Sequence, residues 1–190
     1  MLLDYGQGVG AFERAFEESG VRGTAVTVRK PAELEKVDAL ALPGGESTTI
    51  SKLLAKFGLH EPIRERALEG MPVMGTCAGC IIMAREGDAQ VGGTGTRLLE
   101  LMDMRVSRNA FGRQRESFEA PVRVDGLEGG PFPAVFIRAP AILSVAGKCK
   151  PIARFEEKMI AARQDSMLAL AFHPELSCDV RLHRAFLSMI

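Results

Sequence analysis

Neither sign of charge dominates this sequence: 24 lysines and arginines meet 24 aspartates and glutamates. Without a net field, the composition gives no reason to expect nucleic acid or an anionic membrane as a partner. Long apolar runs are missing too, and the longest falls well short of the length that spans a bilayer. The N-terminal stretch MLLDYGQGVG has no basic segment, no sustained apolar segment and no small-residue cleavage site, so it reads as unprocessed. Cysteine is scarce. Cys77, Cys80, Cys149 and Cys178 are too few for a disulfide scaffold in 190 residues, and a reducing cytoplasm suits them best. No linker, repeat or low-complexity tract interrupts the chain. What remains is an ordinary globular composition, 46% hydrophobic and 25% charged, and enough length for one domain over residues 1–190 with a substantial core.

The first half alternates strand and helix patterns. MLLDY reads as a short strand, and GAFERAFEESG places Phe12, Ala15, Phe16 and Ser19 on one helical face before Gly20 ends it. TAVTVRK reads as a β-branched strand, PAELEKV as a short helix with proline in its first turn, and DALALPGG as a buried strand entering a tight turn. ESTTISKLLAKFG and HEPIRERALEG read as helices, MPVMG as a strand and AGCIIMAREG as a helix. Strands separated by helices of this length imply parallel crossovers and a sheet covered on both faces. The second half changes character: LMDMRVSR, SFEAPVRV, AVFIRAP, AILSVAG, PIARFEEK, KMIAARQ and MLALAFHP read as successive short strands, an antiparallel extension of the sheet. DVRLHRAFLSMI closes the chain as an amphipathic helix, with His183 inside it. The fold class expected is α/β, a mainly parallel doubly wound sheet flanked by helices, with a smaller antiparallel extension.

In such a sheet, ligands bind beyond the carboxyl ends of the strands. GTCAGC, residues 75–80, sits at one of these ends, between the apolar runs MPVM and IIMA. Gly75 and Gly79 flank Cys77 at the two positions where a side chain would collide with a sharp strand-to-helix turn, as in a nucleophile elbow. The helix beginning at Ala78 would aim free N–H groups at the sulfur, favouring a thiolate, and the Ala78 N–H would serve as an oxyanion donor. The same six residues also contain a Cys-x-x-Cys pair, Cys77 and Cys80, and a redox or metal protein is the competing reading from another functional class. A zinc site would need two further ligands, which the remaining cysteines and the three histidines do not supply at a paired spacing.

A cysteine nucleophile needs a base and a group to orient that base. His60 falls in a polar connection between helices and reads as solvated; His183 reads as a packing or surface residue. His173 ends the apolar strand LALAF, and Pro174 stops that strand there. Glu175 is two residues on, on the same side of an extended chain, where its carboxylate could hold the imidazole. LPGGESTT offers a second oxyanion donor, since two glycines precede a helix start there.

Taken together, the order of cysteine elbow and then His-Pro-Glu resembles class I, triad-type glutamine amidotransferases. More narrowly, LPGGESTT, GTCAG, RNAFGRQ with SFEAP, VFIRAP, AARQ and AFHPEL resemble the family of glutaminase subunits of pyridoxal 5′-phosphate synthase. The resemblance implies a catalytic triad of Cys77, His173 and Glu175. It implies glutamine contacts at Gly45, Glu46, Ser47, Arg108, Ile137 and Arg138, with oxyanion donors at Gly45 and Ala78. It implies hydrolysis of L-glutamine to L-glutamate and ammonia, no metal and no cofactor. Its partner would be a barrel-type synthase subunit in a hetero-oligomer of up to twelve copies of each. The nearest alternative within the superfamily is a glutaminase serving another synthase, such as the imidazole glycerol phosphate enzyme, against which RNAFGRQ and FIRAP argue. The sequence departs from the family at MLLDY, which is short for a first strand and carries Asp4. It departs again at Cys80, which takes the place of a large aliphatic residue.

Overall fold

The computed structural model describes residues 7–112 and 117–190. The expected strand at MLLDY and the last two residues of RNAFGRQ lie outside the described residues.

Three short strands make the parallel centre: β1 (Leu40–Leu42), β2 (Val73–Thr76) and, from the far end of the chain, β10 (Met167–Leu170). β2 lies between the other two, with Leu42 and Ala169 both opposite Gly75. Their alternation explains why the runs read as continuously apolar. Leu40, Leu42, Val73, Met167 and Ala169 enter one core, while Ala39, Ala41, Met74, Leu168 and Leu170 enter the other. Successive side chains of a strand point to opposite faces, so a strand covered on both sides must be apolar at every position.

Helices supply the two covers. α2 (Pro31–Leu34), α3 (Ser47–Lys56), α4 (His60–Leu68) and α5 (Ala78–Met83) contribute Leu34, Leu54, Ile63 and Ile82 to the first core. On the other face, α1 (Gln7–Ser19) and α7 (Arg181–Leu187) contribute Phe12, Ala15, Leu182 and Phe186. The sheet continues beyond β10 through β9 (Lys158–Gln164), β7 (Ala141–Val145), β4 (Met102–Ser107) and β3 (Ala84–Gly87), with β8 (Lys150–Phe155) paired to β9. The pairs from β10 to β4 and the β8–β9 pair are antiparallel, whereas β3 returns parallel to β4. β5 (Ser117–Val122) and β6 (Phe132–Ile137) form a separate antiparallel ribbon. α6 (Ala89–Gly93) follows β3. The α/β class, the flanking helices and the antiparallel extension agree with the expectation.

Two segments differ from it. TAVTVRK forms only a single bridge residue, Thr27, among the described residues, although Ala25 and Val28 are buried. AGCIIMAREG is not one helix either: α5 stops at Met83, and Ala84–Gly87 is β3. The carbonyls of Ile82 and Met83 accept from the N–H groups of Leu99 and Leu101 instead of continuing the helix. No glycine or proline marks that change.

Candidate active site

β2 runs into α5 through Cys77, whose φ of 49° and ψ of −105° lie where L-residues are rarely found. Such a conformation costs roughly 1–3 kcal/mol and persists only when its surroundings fix it. Here they do. The Cys77 N–H donates to Leu170 O at 2.8 Å, and Cys77 O accepts from Ile81 N at 3.3 Å. The flanking glycines are required by close approach: a Cβ on Gly79 would stand 2.1 Å from Leu42 O, and one on Gly75 would stand 2.6 Å from the Gly79 carbonyl carbon. The elbow geometry read from the sequence is therefore present. α5 is only six residues long, so its effect on the sulfur comes from the unpaired N–H groups of its first turn.

Three residues past the end of β10, His173 is held by its own N–H, which donates to Val135 O at 2.8 Å. Its Nδ1 meets Glu175 Oε1 at 2.7 Å, and both side chains are largely buried. On the other side, the Cys77 thiol lies near enough to the ring to favour its charged form. Burial disfavours the imidazolium, but the hydrogen bonds to Cys77 and Glu175, together with their charges, outweigh it and lift the imidazole to about 10. Gly44 packs flat against this ring: a Cβ there would lie 2.3 Å from His173 Cε1. Cys77 Sγ also points toward Ile137 O, at 3.8 Å. The next residue, Arg138, has a φ of 44°, so two strained residues face one another across the site.

The remaining predicted positions converge on the same cavity, of about 900 Å³. Gly45, Glu46, Ser47, Cys77, Ala78, Arg108, Ile137, Arg138 and His173 all line it, and Glu175 stands behind His173. Gly45 enters the α3 turn at a φ of 132°, a region that suits glycine. Glu46 caps α3, accepting from Thr48 N at 3.1 Å and from Thr49 N at 2.7 Å. Burial opposes ionisation of Glu46, but these N–H groups and the Thr49 hydroxyl outweigh it and hold the carboxyl down at about 2. Its Oε1 also pairs with the Arg108 guanidinium. A cation and an anion thus stand side by side on the wall of the cavity that Cys77 also lines.

One histidine reading changes, and another narrows to one of its two alternatives. His60 is buried rather than solvated, and its Nε2 meets Leu98 O at 3.0 Å at the start of α4. His183 is 1% exposed and meets the Phe12 ring edge-to-face, with centroids 4.9 Å apart. It is a packing residue and lies on the α1 side of the sheet.

Sequence reasoning missed Asp88. Its Oδ1 caps α6 by accepting from Gln90 N and Val91 N, each at 3.0 Å, and its Oδ2 accepts from Ser107 Oγ at 2.7 Å. Burial works against the carboxylate, but the Ser107 hydroxyl and the N–H groups of Val91, Gln90 and Arg108 hold its pKa below the ordinary value. Asp88 thereby fixes the end of β4 from which Arg108 projects. The sequence signal was an aspartate just before a short helical stretch, which no chemical motif singled out.

All four cysteines are free. Burial pushes the Cys80 thiol above its ordinary range, with the nearby Cys77 and Cys149 adding to it, so Cys80 sits in the core as a small apolar group. Among the described residues no cluster of three or more histidine, cysteine or acidic side chains is placed to hold a metal, and no helix is long and apolar enough to cross a membrane.

Known proteins resemble the chain over nearly its whole length. The chain is 51% identical over 178 residues to a protein of Thermococcus onnurineus named pyridoxal 5′-phosphate synthase subunit PdxT, a match covering 93% of this chain and 89% of that one. It is 50% identical over 182 residues to the protein of the same name from Methanosarcina acetivorans, covering 96% and 91%. A crystal structure described as a glutamine amidotransferase superposes with a TM-score of 0.84 at 42% identity, over 95% of this chain and 92% of that one. Residues 6–190 match the SNO glutamine amidotransferase family as a whole, and to that family this chain belongs.

Proposed function

We propose that this chain is the glutaminase subunit of a pyridoxal 5′-phosphate synthase, with Cys77 as nucleophile. The observation that carries the reading is the chain of contacts from Cys77 to His173 to Glu175, opening on a cavity that also holds the Arg108–Glu46 pair. Free glutamine is a zwitterion with an amide at the far end. Arg108 and Arg138 suit its α-carboxylate, and Glu46 suits its α-ammonium group. The side chain then reaches Cys77, beside the Ile137 carbonyl.

The thiolate adds to the amide carbonyl, and the oxygen's developing charge is met by N–H groups of Ala78 and Gly45. His173, held by Glu175, gives its proton to the departing nitrogen, so ammonia leaves and a glutamyl thioester remains. His173 then takes a proton from water, whose oxygen adds to the thioester carbonyl, and expulsion of the thiolate releases glutamate. The raised imidazole fits this sequence, because His173 holds the proton that it gives to the departing nitrogen.

The ammonia passes to a barrel-type synthase subunit in the cytoplasm, in an assembly of up to twelve copies of each. The names borne by relatives about half identical to this chain support that partner over the imidazole glycerol phosphate enzyme. The test is glutamate release with and without the synthase subunit, comparing the wild type with Cys77→Ala. Wild type should release glutamate and the variant should not. Equal release from both ends the assignment of Cys77.

A further inference from the structure

The β5–β6 ribbon lies outside the main sheet, yet Ile137 at the end of β6 and Arg138 just after it line the same cavity as Arg108. Arg108 arrives from elsewhere, one residue past the end of β4. A backbone hydrogen bond joins the two segments just beyond these arginines: Ala110 N donates to Ala139 O at 3.2 Å. The next residue, Phe111, joins them through its side chain. Its ring meets Phe118 of β5 edge-on, with centroids 5.5 Å apart, and lies 5.6 Å from Phe136 of β6 and 6.2 Å from Phe155 of β8. Lys158 Nζ stands 5.4 Å from the same centroid. Among the described residues 108–112, Phe111 is the one large apolar side chain, and it packs against the core on this side of the sheet. It also lines the cavity.

We propose that Phe111 is a positioning residue for the α-carboxylate of glutamine, fixing the separation of the Arg108 and Arg138 guanidinium groups. Asp88 holds Ser107, where the chain leaves β4 ahead of Arg108. Beyond Arg108, Asn109 and Gly112 are exposed, and the loop is held by the Ala110 bond and the Phe111 ring. Ring pairs are directional, because the negative face of one ring prefers the positive edge of another. Three rings on three strands therefore fix the place of Phe111 more closely than apolar burial alone would. The Lys158 ammonium near its face adds to that hold. β6 grips Phe111 through Phe136 and leads directly into Arg138, so the two arginines share one anchor. A carboxylate received by two guanidinium groups needs them at a set spacing, and fixing that spacing beforehand removes an ordering cost at the moment of binding. The inference rests on the glutamine reading given above.

The experiment is a double-mutant cycle on glutamate release by the complex with its synthase subunit. Phe111→Ala should raise KM for glutamine about tenfold with kcat little changed, the effect of weakening one hydrogen bond between charged groups. Phe111→Tyr keeps the ring and should stay within about twofold of the wild type. In an Arg108→Gln background, the same Phe111→Ala change should raise KM by less than about twofold, because the spacing no longer matters. An unchanged KM in Phe111→Ala overturns the proposal, as does an equal rise in both backgrounds or a loss confined to kcat. Should Phe111→Ala fail to fold, Phe111→Leu takes its place, keeping apolar bulk without the ring. Its KM should rise several-fold, and a wild-type KM there refutes the proposal. The two readings fail separately. A wild type that releases no glutamate, or a Cys77→Ala variant that releases as much, defeats the glutaminase assignment. Normal release by the wild type beside an unchanged KM in Phe111→Ala defeats this inference alone.

Discussion

At Gly44 a missing side chain sets the place of an imidazole. His173 is hydrogen-bonded on one side to Glu175 and faces Cys77 on the other, so its ring has no direction in which to yield. A methyl group at Gly44 would overlap Cε1 and crowd Nδ1, and the ring must turn away from the thiol to admit it. Misplacing a reacting group by about 1 Å costs on the order of 10²-fold in rate. Gly44→Ala should therefore fold, bind glutamine with KM close to that of the wild type, and lose kcat on the order of 10²-fold; steady-state glutamate release alongside a melting curve measures both. The meeting of Cys77, His173 and Glu175 was legible at this scale because their residue types and order are distinctive in the sequence. The burial of His60 and His183 was not, since both are set by elements distant in the chain: the Leu98 carbonyl for one and Phe12 for the other.

Among the elements, the site depends on how strand ends are finished. β2 ends in the elbow, β10 leads to His173, and β4 ends just before Arg108, where Asp88 ties it to the start of α6. Asp88→Ala removes the α6 cap and the anchor of Ser107 together. Loss of the cap costs about 1 kcal/mol of stability. The freed Arg108 should raise KM for glutamine several-fold while kcat changes little, a split that steady-state kinetics resolves. Helices α1 to α4 and α7 and the run of seven C-terminal strands were readable from periodicity, because each buries a face that its own sequence marks. TAVTVRK and AREG were not. The first has a single bridge residue, Thr27, among the described residues, and the second becomes a strand because β4 lies alongside it. Both outcomes are decided by neighbours, and local pattern carries no trace of them.

For the whole molecule, two largely buried histidines give stability a pH dependence of known sign. His173 is raised to about 10, above its ordinary 6.5. The stability it contributes is fully present below pH 6.5 and is lost as pH rises through 10. His183 is lowered to about 4. The unfolded chain therefore binds its proton first as pH falls below 6.5, and stability declines toward 4. Chemical unfolding of the wild type should show greatest stability near neutrality. Relative to His173→Gln, the wild type should lose its advantage as pH approaches 10; a constant difference across that range would contradict the raised imidazole. The measurement closest to the central claim, however, is covalent trapping. An electrophilic glutamine analogue, added to the complex with its synthase subunit and followed by mass mapping, should label Cys77 alone. Excess glutamine should protect it, and His173→Ala should slow the labelling. Labelling of Cys80 or Cys178 at an equal rate, or labelling of Cys77 that glutamine does not slow, would contradict the account.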